Sequence, residues 1–175
     1  FMPSNGSVFS PGQEVRIPLS VSHGTFVDTS TLRFNARVQL VPAAANGSAR
    51  NGSHLGAGLT GCIREASCIG SDGSVIDRVS HYNLLASYLD VATTSIDKLI
   101  CERGVTGANP AIPTANPTMD VAANATTSTT QTFSVPLKYI GSLNTDRYMP
   151  LGFLAGSSLN ISLILEDAQM KSKKK

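Results

Sequence analysis

The sequence predicts an all-β fold, an antiparallel β-sandwich of the jelly-roll type with one or two short inserted helices and long loops. Several short stretches alternate apolar with polar residues, which is typical of half-buried strands. Turn-forming Gly, Ser, Thr, Asn and Pro separate these stretches, and no strand–helix–strand rhythm is visible. Only 15% of the 175 residues are charged, whereas helix-rich folds use more Glu, Lys and Arg.

Alternation first appears at residues 15–21, where Val15, Ile17 and Leu19 point one way. Pro18 lies within this strand and has no N–H to donate to a neighbour, so an edge strand or a bulge is expected. The same alternation marks residues 32–40, 133–139 and 159–165, and shorter strands are predicted at 62–69, 75–79 and 148–154.

The centre of the chain predicts a hairpin followed by a helix. Asp72 and Gly73 form a strong turn signal, because Gly accepts positive φ and Asp bonds its own backbone. A helix is then predicted over residues 82–89, starting at Tyr82. Its buried side is expected to consist of Leu84, Leu85, Tyr88 and Leu89, so that a charge at Leu85 would unfold the domain. A second short helix is predicted from Ser95 to about Gly104.

The expected domain organisation is simple. Residues 1–12 form an N-terminal arm, 13–168 a single jelly-roll domain and 169–175 a basic tail, either disordered or left by truncation or cloning. The net charge of +2 depends on this tail, since Lys171, Lys173, Lys174 and Lys175 leave the rest near −2. Contact with nucleic acid or an anionic membrane is therefore expected only through these lysines.

Catalytic and metal-binding chemistry is not predicted. His23, His54 and His81 are scattered, and Cys62, Cys68 and Cys101 lack the C-x-x-C spacing of zinc or redox sites. Buried reduced thiols are the expected state of the cysteines. Pairing of Cys101 with His81 as nucleophile and base is the one enzymatic alternative left open. No catalytic residue, metal or cofactor is assigned, and no small-molecule substrate is expected.

Five Asn-x-Ser/Thr sequons occur, at Asn5, Asn46, Asn51, Asn124 and Asn160. Asn160 is a poor acceptor because it falls on a predicted strand. Asn46, Asn51 and Asn124 are the acceptors expected to carry glycans if the protein is secreted.

Four segments together resemble the N-terminal jelly roll of double-jelly-roll (hexon-like) major capsid proteins from tailless double-stranded DNA viruses of the adenovirus and polinton-like kind. They are FMPSNGSVFSPGQEVRIPLSV, FVDTSTLRFNARVQL, IGSDGSVIDRVSHYNLLASYL and YMPLGFLAGSSLNISLILEDA. The resemblance extends to about residue 168. Its most specific parts are the opening FSPGQEVRIPL, then FVDTSTLRF, the glycine turn followed by IDRVSHYNLL, and the closing PLGFLAGSSLNISLIL.

The resemblance implies a structural protein of the virion, a capsid subunit that forms an icosahedral shell through trimeric, pseudo-hexagonal capsomers. Its partners would be other copies or a second jelly-roll chain, neighbouring capsomers and minor capsid proteins. That family carries two jelly rolls in one chain, and only one is visible here. The alternative is a secreted or surface β-sandwich that binds carbohydrate or mediates adhesion, against which stand the absence of Trp and an aromatic content of 6%.

Overall fold

A computed structural model describes residues 1–41, 53–54, 58–107, 120–121, 128–143, 148–153 and 158–167. These residues form ten strands and two helices. The strands are β1 (Glu14–Ser20), β2 (Val27–Asp28), β3 (Arg33–Leu40), β4 (Ser53–His54), β5 (Ile63–Gly70), β6 (Val75–Ser80), β7 (Asp120–Val121), β8 (Thr129–Pro136), β9 (Tyr148–Met149) and β10 (Ser158–Leu165). The helices are α1 (Tyr82–Thr93) and α2 (Ile96–Thr106).

Every described strand pairing is antiparallel, and the pairs are nested along the chain. Strand β1 pairs with β10, β2 with β9, β3 with β8, β4 with β7 and β5 with β6. One further pairing joins β10 to β5 and produces a four-stranded sheet in the order β1-β10-β5-β6. The protein is therefore mostly β, as the alternation of its sequence predicts.

The chain divides into two compact units. The first comprises Phe1–Thr31, Cys62–Tyr82 and Lys138–Lys175, and it contains the four-stranded sheet. The central strands β5 and β10 bury apolar side chains most completely, since each has a strand on both sides. Buried residues of this unit include Val15, Leu19, Ile63, Ala66, Cys68, Ile140, Leu143, Leu151, Leu159, Ile161 and Leu163.

The second unit comprises Leu32–Gly61 and Asn83–Leu137. Strands β3 and β8 pair along their whole length, and α2 packs against β8. Gly107 follows α2 with a φ of +76°, a conformation that favours glycine at the end of a helix. A Cβ at this position would lie 2.9 Å from the Phe133 ring, so the close approach also requires glycine.

The strand predictions agree with the structure at the long strands. Strand β1 lies at the edge of its sheet, as Pro18 indicates, and Val15 and Leu19 are buried. Phe34 in β3 and Phe133 and Val135 in β8 are also buried on the predicted side. The two-residue strands β2, β4 and β7 were not predicted, because two residues are too few to show alternation.

The predicted packing face of α1 is wrong. Leu84 is 68% exposed and Leu85 39%, and Tyr88 is exposed as well, whereas Leu89 is half-buried. Among the α1 residues whose burial the structure describes, Tyr82 and Ala86 are buried, each only 1% exposed and one helical turn apart. The helix sequence YNLLASYLDVAT carries apolar residues around most of its circumference. Periodicity therefore does not distinguish its faces, and the buried side runs through Tyr82 and Ala86 rather than through the leucines.

Candidate interaction surface

The first unit carries a cluster of exposed aromatic side chains, here called the aromatic patch, formed by His23, Phe26 and Phe153. Phe26 and Phe153 are each more than half exposed. The Phe153 ring centroid lies 5.5 Å from that of Phe26 and 5.8 Å from that of His23. Both pairs are tilted, an arrangement that aromatic rings favour.

Two chain segments that are distant in sequence hold the patch in place. The backbone N–H of Gly152 donates to the carbonyl oxygen of Thr25 (3.0 Å), and the N–H of Gly24 donates to the carbonyl oxygen of Gly152 (3.3 Å). A Cβ on Gly152 would lie 2.5 Å from the Ser22 carbonyl oxygen and 2.6 Å from the Thr25 nitrogen. Only glycine therefore permits this backbone contact, which we call the Gly152 clasp.

Short-range bonds stiffen both sides of the clasp. The Thr25 hydroxyl donates to the Ser22 carbonyl oxygen at 2.6 Å, and Gly24 turns the chain with a φ of +79°. On the other side, the N–H of Phe153 donates to the carbonyl oxygen of Pro150 at 3.0 Å. Strand β9 pairs with β2 next to this contact, with Tyr148 opposite Asp28 and Met149 opposite Val27. The rings are thus presented to solvent by a braced backbone.

Sequence reasoning missed this patch. The sequence marks His23 only as one of three scattered histidines and predicts no strand between residues 21 and 32. The local signal is weak, since Phe26 and Phe153 are isolated aromatic residues in loop-like sequence. A usable hint was the presence of glycine at both positions 24 and 152, but only the fold brings those positions together.

Clustered, exposed aromatic rings are typical of surfaces that bind another molecule. The rings supply a large contact area that loses little conformational entropy on binding, because each side chain has only two rotatable bonds. The aromatic patch is therefore the candidate functional surface of this protein.

The Asp72–Gly73 turn has a structural part in the β5–β6 hairpin. The Asp72 Oδ1 accepts hydrogen bonds from the Ser74 N–H (3.0 Å) and the Ser74 hydroxyl (2.6 Å), and these bonds lower the pKa of Asp72. Gly73 adopts a φ of +85°. The N–H of Gly70 donates to the Ser74 carbonyl oxygen and closes the hairpin.

Helix α1 contributes a second exposed apolar surface through Leu84, Leu85 and Tyr88. These side chains were expected in the core and instead face solvent. Tyr82 lies at the start of the helix, where its ring centroid is 6.4 Å from that of Tyr139. His81, directly before it, has a φ of +55°, a left-handed conformation that helps to separate β6 from α1.

The expected glycosylation sites Asn46, Asn51 and Asn124 lie outside the described residues, as do Lys171, Lys173, Lys174 and Lys175. Two sequon asparagines are described. Asn160 lies in β10, between Pro18 of β1 and Ile69 of β5. The Asn5 side-chain amide is engaged with the backbone of β1.

The cysteines differ in their surroundings, and no disulfide joins them. Cys68 is buried, as expected, whereas Cys62 is half-buried and Cys101 is exposed, which corrects the expectation of three buried thiols. Burial raises the pKa of the Cys62 thiol to about 11, so Cys62 is protonated and a poor nucleophile at neutral pH. In the part of the chain that the structure describes, no three His, Cys, Asp or Glu residues cluster as a metal site would require.

Neither described helix is long and apolar enough to cross a membrane. Comparisons with models of protein families, with curated proteins and with solved structures find no significant match.

Proposed function

We propose that this chain is a structural protein, a jelly-roll subunit of a viral capsid. The nested strand pairing carries the proposal. A jelly roll arises when a long antiparallel two-stranded ribbon, in which the first strand pairs with the last and each next pair lies inside, rolls up on itself. Five such nested pairs occur here, from β1 with β10 inward to β5 with β6.

The pairing of β10 with β5 supports the same topology. Rolling the ribbon places its outermost strand beside an inner strand, and the order β1-β10-β5-β6 has this arrangement. A simple meander would instead pair each strand with its neighbour in sequence. The resemblance of FVDTSTLRF and PLGFLAGSSLNISLIL to hexon-like capsid proteins is independent of this argument, since it rests on residues rather than on pairing.

In this proposal the protein functions by forming part of a shell, so its function lies in the contacts between subunits. The aromatic patch would contact a neighbouring subunit or a minor capsid protein, and the Gly152 clasp would hold the aromatic rings in fixed positions. Two jelly rolls would associate as a pair, either two copies of this chain or this chain with a second jelly-roll chain. Three such pairs would form a pseudo-hexagonal capsomer. The protein would have no enzymatic activity and would reside in the virion.

The test is assembly. The purified protein is expected to form trimers or larger lattices in negative-stain electron microscopy and multi-angle light scattering. Phe153→Ser should weaken this assembly while leaving the thermal unfolding transition in place. A protein that stays monomeric at high concentration would contradict the proposal.

The aromatic patch also favours a second candidate function, that of a carbohydrate-binding or adhesion module. Sugars stack on exposed aromatic rings, and the structure brings the exposed Phe26 and Phe153 rings together although the aromatic content is low. Binding on a glycan array that is lost in Phe26→Ala and Phe153→Ala, with the oligomeric state unchanged, would support this function over the capsid subunit.

A further inference from the structure

The N-terminal arm covers the outer edge of β1 with hydrogen bonds that imitate a strand. The Asn5 Nδ2 donates to the Glu14 carbonyl oxygen (2.7 Å), and the Arg16 N–H donates to the Asn5 Oδ1 (2.9 Å). The Ser4 N–H donates to the Arg16 carbonyl oxygen at 2.8 Å. The Asn5 side-chain amide and the Ser4 backbone N–H thus replace the backbone groups that a neighbouring strand would supply.

The groups that this arm covers are those of an exposed sheet edge. Strand β1 is the outer strand of the order β1-β10-β5-β6, so its second side has no strand partner within that sheet. Uncovered edges of this kind template pairing with another chain. Pro18, two residues beyond Arg16, has no N–H, so the pairing-competent part of the edge is confined to Glu14 and Arg16.

We propose that β1 is a latent self-pairing edge, which the Asn5 amide blocks and which pairs with β1 of a second copy when the arm is displaced. In an antiparallel pair centred on Val15, Glu14 of each copy lies opposite Arg16 of the other. The Arg16 N–H then donates to the Glu14 carbonyl oxygen of the second copy, and the Glu14 N–H to its Arg16 carbonyl oxygen. The two-fold axis repeats both bonds.

Charge complementarity favours a second copy as the partner. The Glu14 and Arg16 side chains lie on the same face of β1, where Arg16 Nε and Glu14 Oε1 are 2.9 Å apart within one chain. In the centred register, both cross-strand pairs join a carboxylate to a guanidinium. Any other antiparallel register of β1 on β1 that pairs its outward groups loses this match. In those registers Arg16 lies opposite Arg16, Pro18, Ser20 or Gly12, which is just outside the strand.

The arm and the second copy compete for the same atoms. Asn5 occupies the Glu14 oxygen and the Arg16 N–H, and Ser4 occupies the Arg16 oxygen. Phe1, Met2 and Val8 of the arm are exposed, whereas Pro3 and Phe9 are half-buried. The bonds at Ser4 and Asn5 are the arm contacts that occupy the atoms a second copy would use.

The test compares Asn5→Ala with Ser7→Ala in the full chain. Both changes remove the Asn5-Gly6-Ser7 sequon, but only the first removes the covering amide. Asn5→Ala should form a species of twice the wild-type mass, whatever the copy number of the wild type, and the fraction of this species should rise with protein concentration. Ser7→Ala should show a smaller effect or none. Sedimentation velocity measures the mass, and far-ultraviolet circular dichroism checks the fold.

Removing residues 1–9 is a second way to uncover the edge of β1. The shortened chain should double in mass at a lower concentration than Asn5→Ala. Glu14→Arg in this background places like charges opposite each other and should abolish doubling, and the further change Arg16→Glu should restore it. The proposal is overturned if the folded Asn5→Ala chain and the shortened chain both keep the wild-type mass, or if doubling survives Glu14→Arg.

Discussion

Gly152 lies against the backbone of Ser22 so closely that a Cβ at position 152 would be 2.5 Å from the Ser22 carbonyl oxygen. That oxygen also accepts the hydrogen bond of the Thr25 hydroxyl, so it cannot move without breaking the bond. The contact joins the loop after β1 to the segment after β9 and supports the aromatic patch.

Gly152→Ala should therefore destabilise the protein by about 1–3 kcal/mol, the usual cost of forcing extra atoms into a packed site. Urea unfolding followed by circular dichroism measures the loss. Phe153→Ala is the matched control, because it removes an exposed ring beside the clasp and should change stability by less than about 1 kcal/mol. Equal stability of Gly152→Ala and the wild type would contradict the clasp.

Helix α1 should tolerate changes at its leucines better than at its alanine. Ala86→Leu adds three carbons where only 1% of the residue is exposed, and it should cost about 1–3 kcal/mol. Leu84→Ser, on the same helix but 68% exposed, should cost less than about 1 kcal/mol. Thermal unfolding of the two variants compares them directly. A larger loss of stability for Leu84→Ser than for Ala86→Leu would instead support the buried side predicted from periodicity.

The cysteines should react with a thiol reagent in an order set by exposure. Cys101 should be labelled first, since it is exposed, and Cys68 only on unfolding, since it is fully buried. Cys62 should be slow at pH 7 because burial raises its pKa to about 11 and leaves little thiolate. Mass spectrometry of digested samples gives the order. Fast labelling of Cys101 follows from its exposure and so is no sign of catalysis.

Stability should fall on acidification through Glu14. The hydrogen bond from Arg16, and then that from the Ser162 hydroxyl, hold the pKa of Glu14 below its ordinary value of 4.5. A carboxylate with a lowered pKa stabilises the fold above its unfolded-state pKa, and this contribution disappears as pH falls through the folded value.

The melting temperature of Glu14→Gln should consequently fall less between pH 7 and pH 3 than that of the wild type. Arg16→Gln should show an intermediate loss, because it removes the first of the two bonds and keeps the second. Differential scanning calorimetry at both pH values provides the comparison. Identical losses in all three proteins would exclude a contribution from Glu14.

Prediction from sequence succeeded where burial imposes a local pattern. Phe34, Phe133 and Val135 are buried in strands whose alternation is visible over eight residues. The Asp72–Gly73 turn could also be read directly, since its requirement for positive φ is local. Prediction failed at α1, because apolar residues around most of a helix do not identify the side that is buried.

The candidate surface could not be predicted in the same way. Phe26 and Phe153 come together through backbone bonds between residues 24–25 and residue 152, and neither segment alone has a recognisable pattern. The hydrogen bonds from Asn5 to β1 could not be predicted either, because an Asn-Gly-Ser triplet usually indicates a glycosylation sequon or a turn.

The sequence by itself determined where the long strands and the central hairpin lie, since one-sided burial and turn geometry act over neighbouring residues. The tertiary structure alone decided the nested order in which the strands pair, the buried side of α1, the aromatic patch and the cover on β1. These features depend on contacts such as that of Arg33 with Ser134, 101 residues apart. Their free energy comes from long-range packing and hydrogen bonding, which leave no periodic trace in the chain.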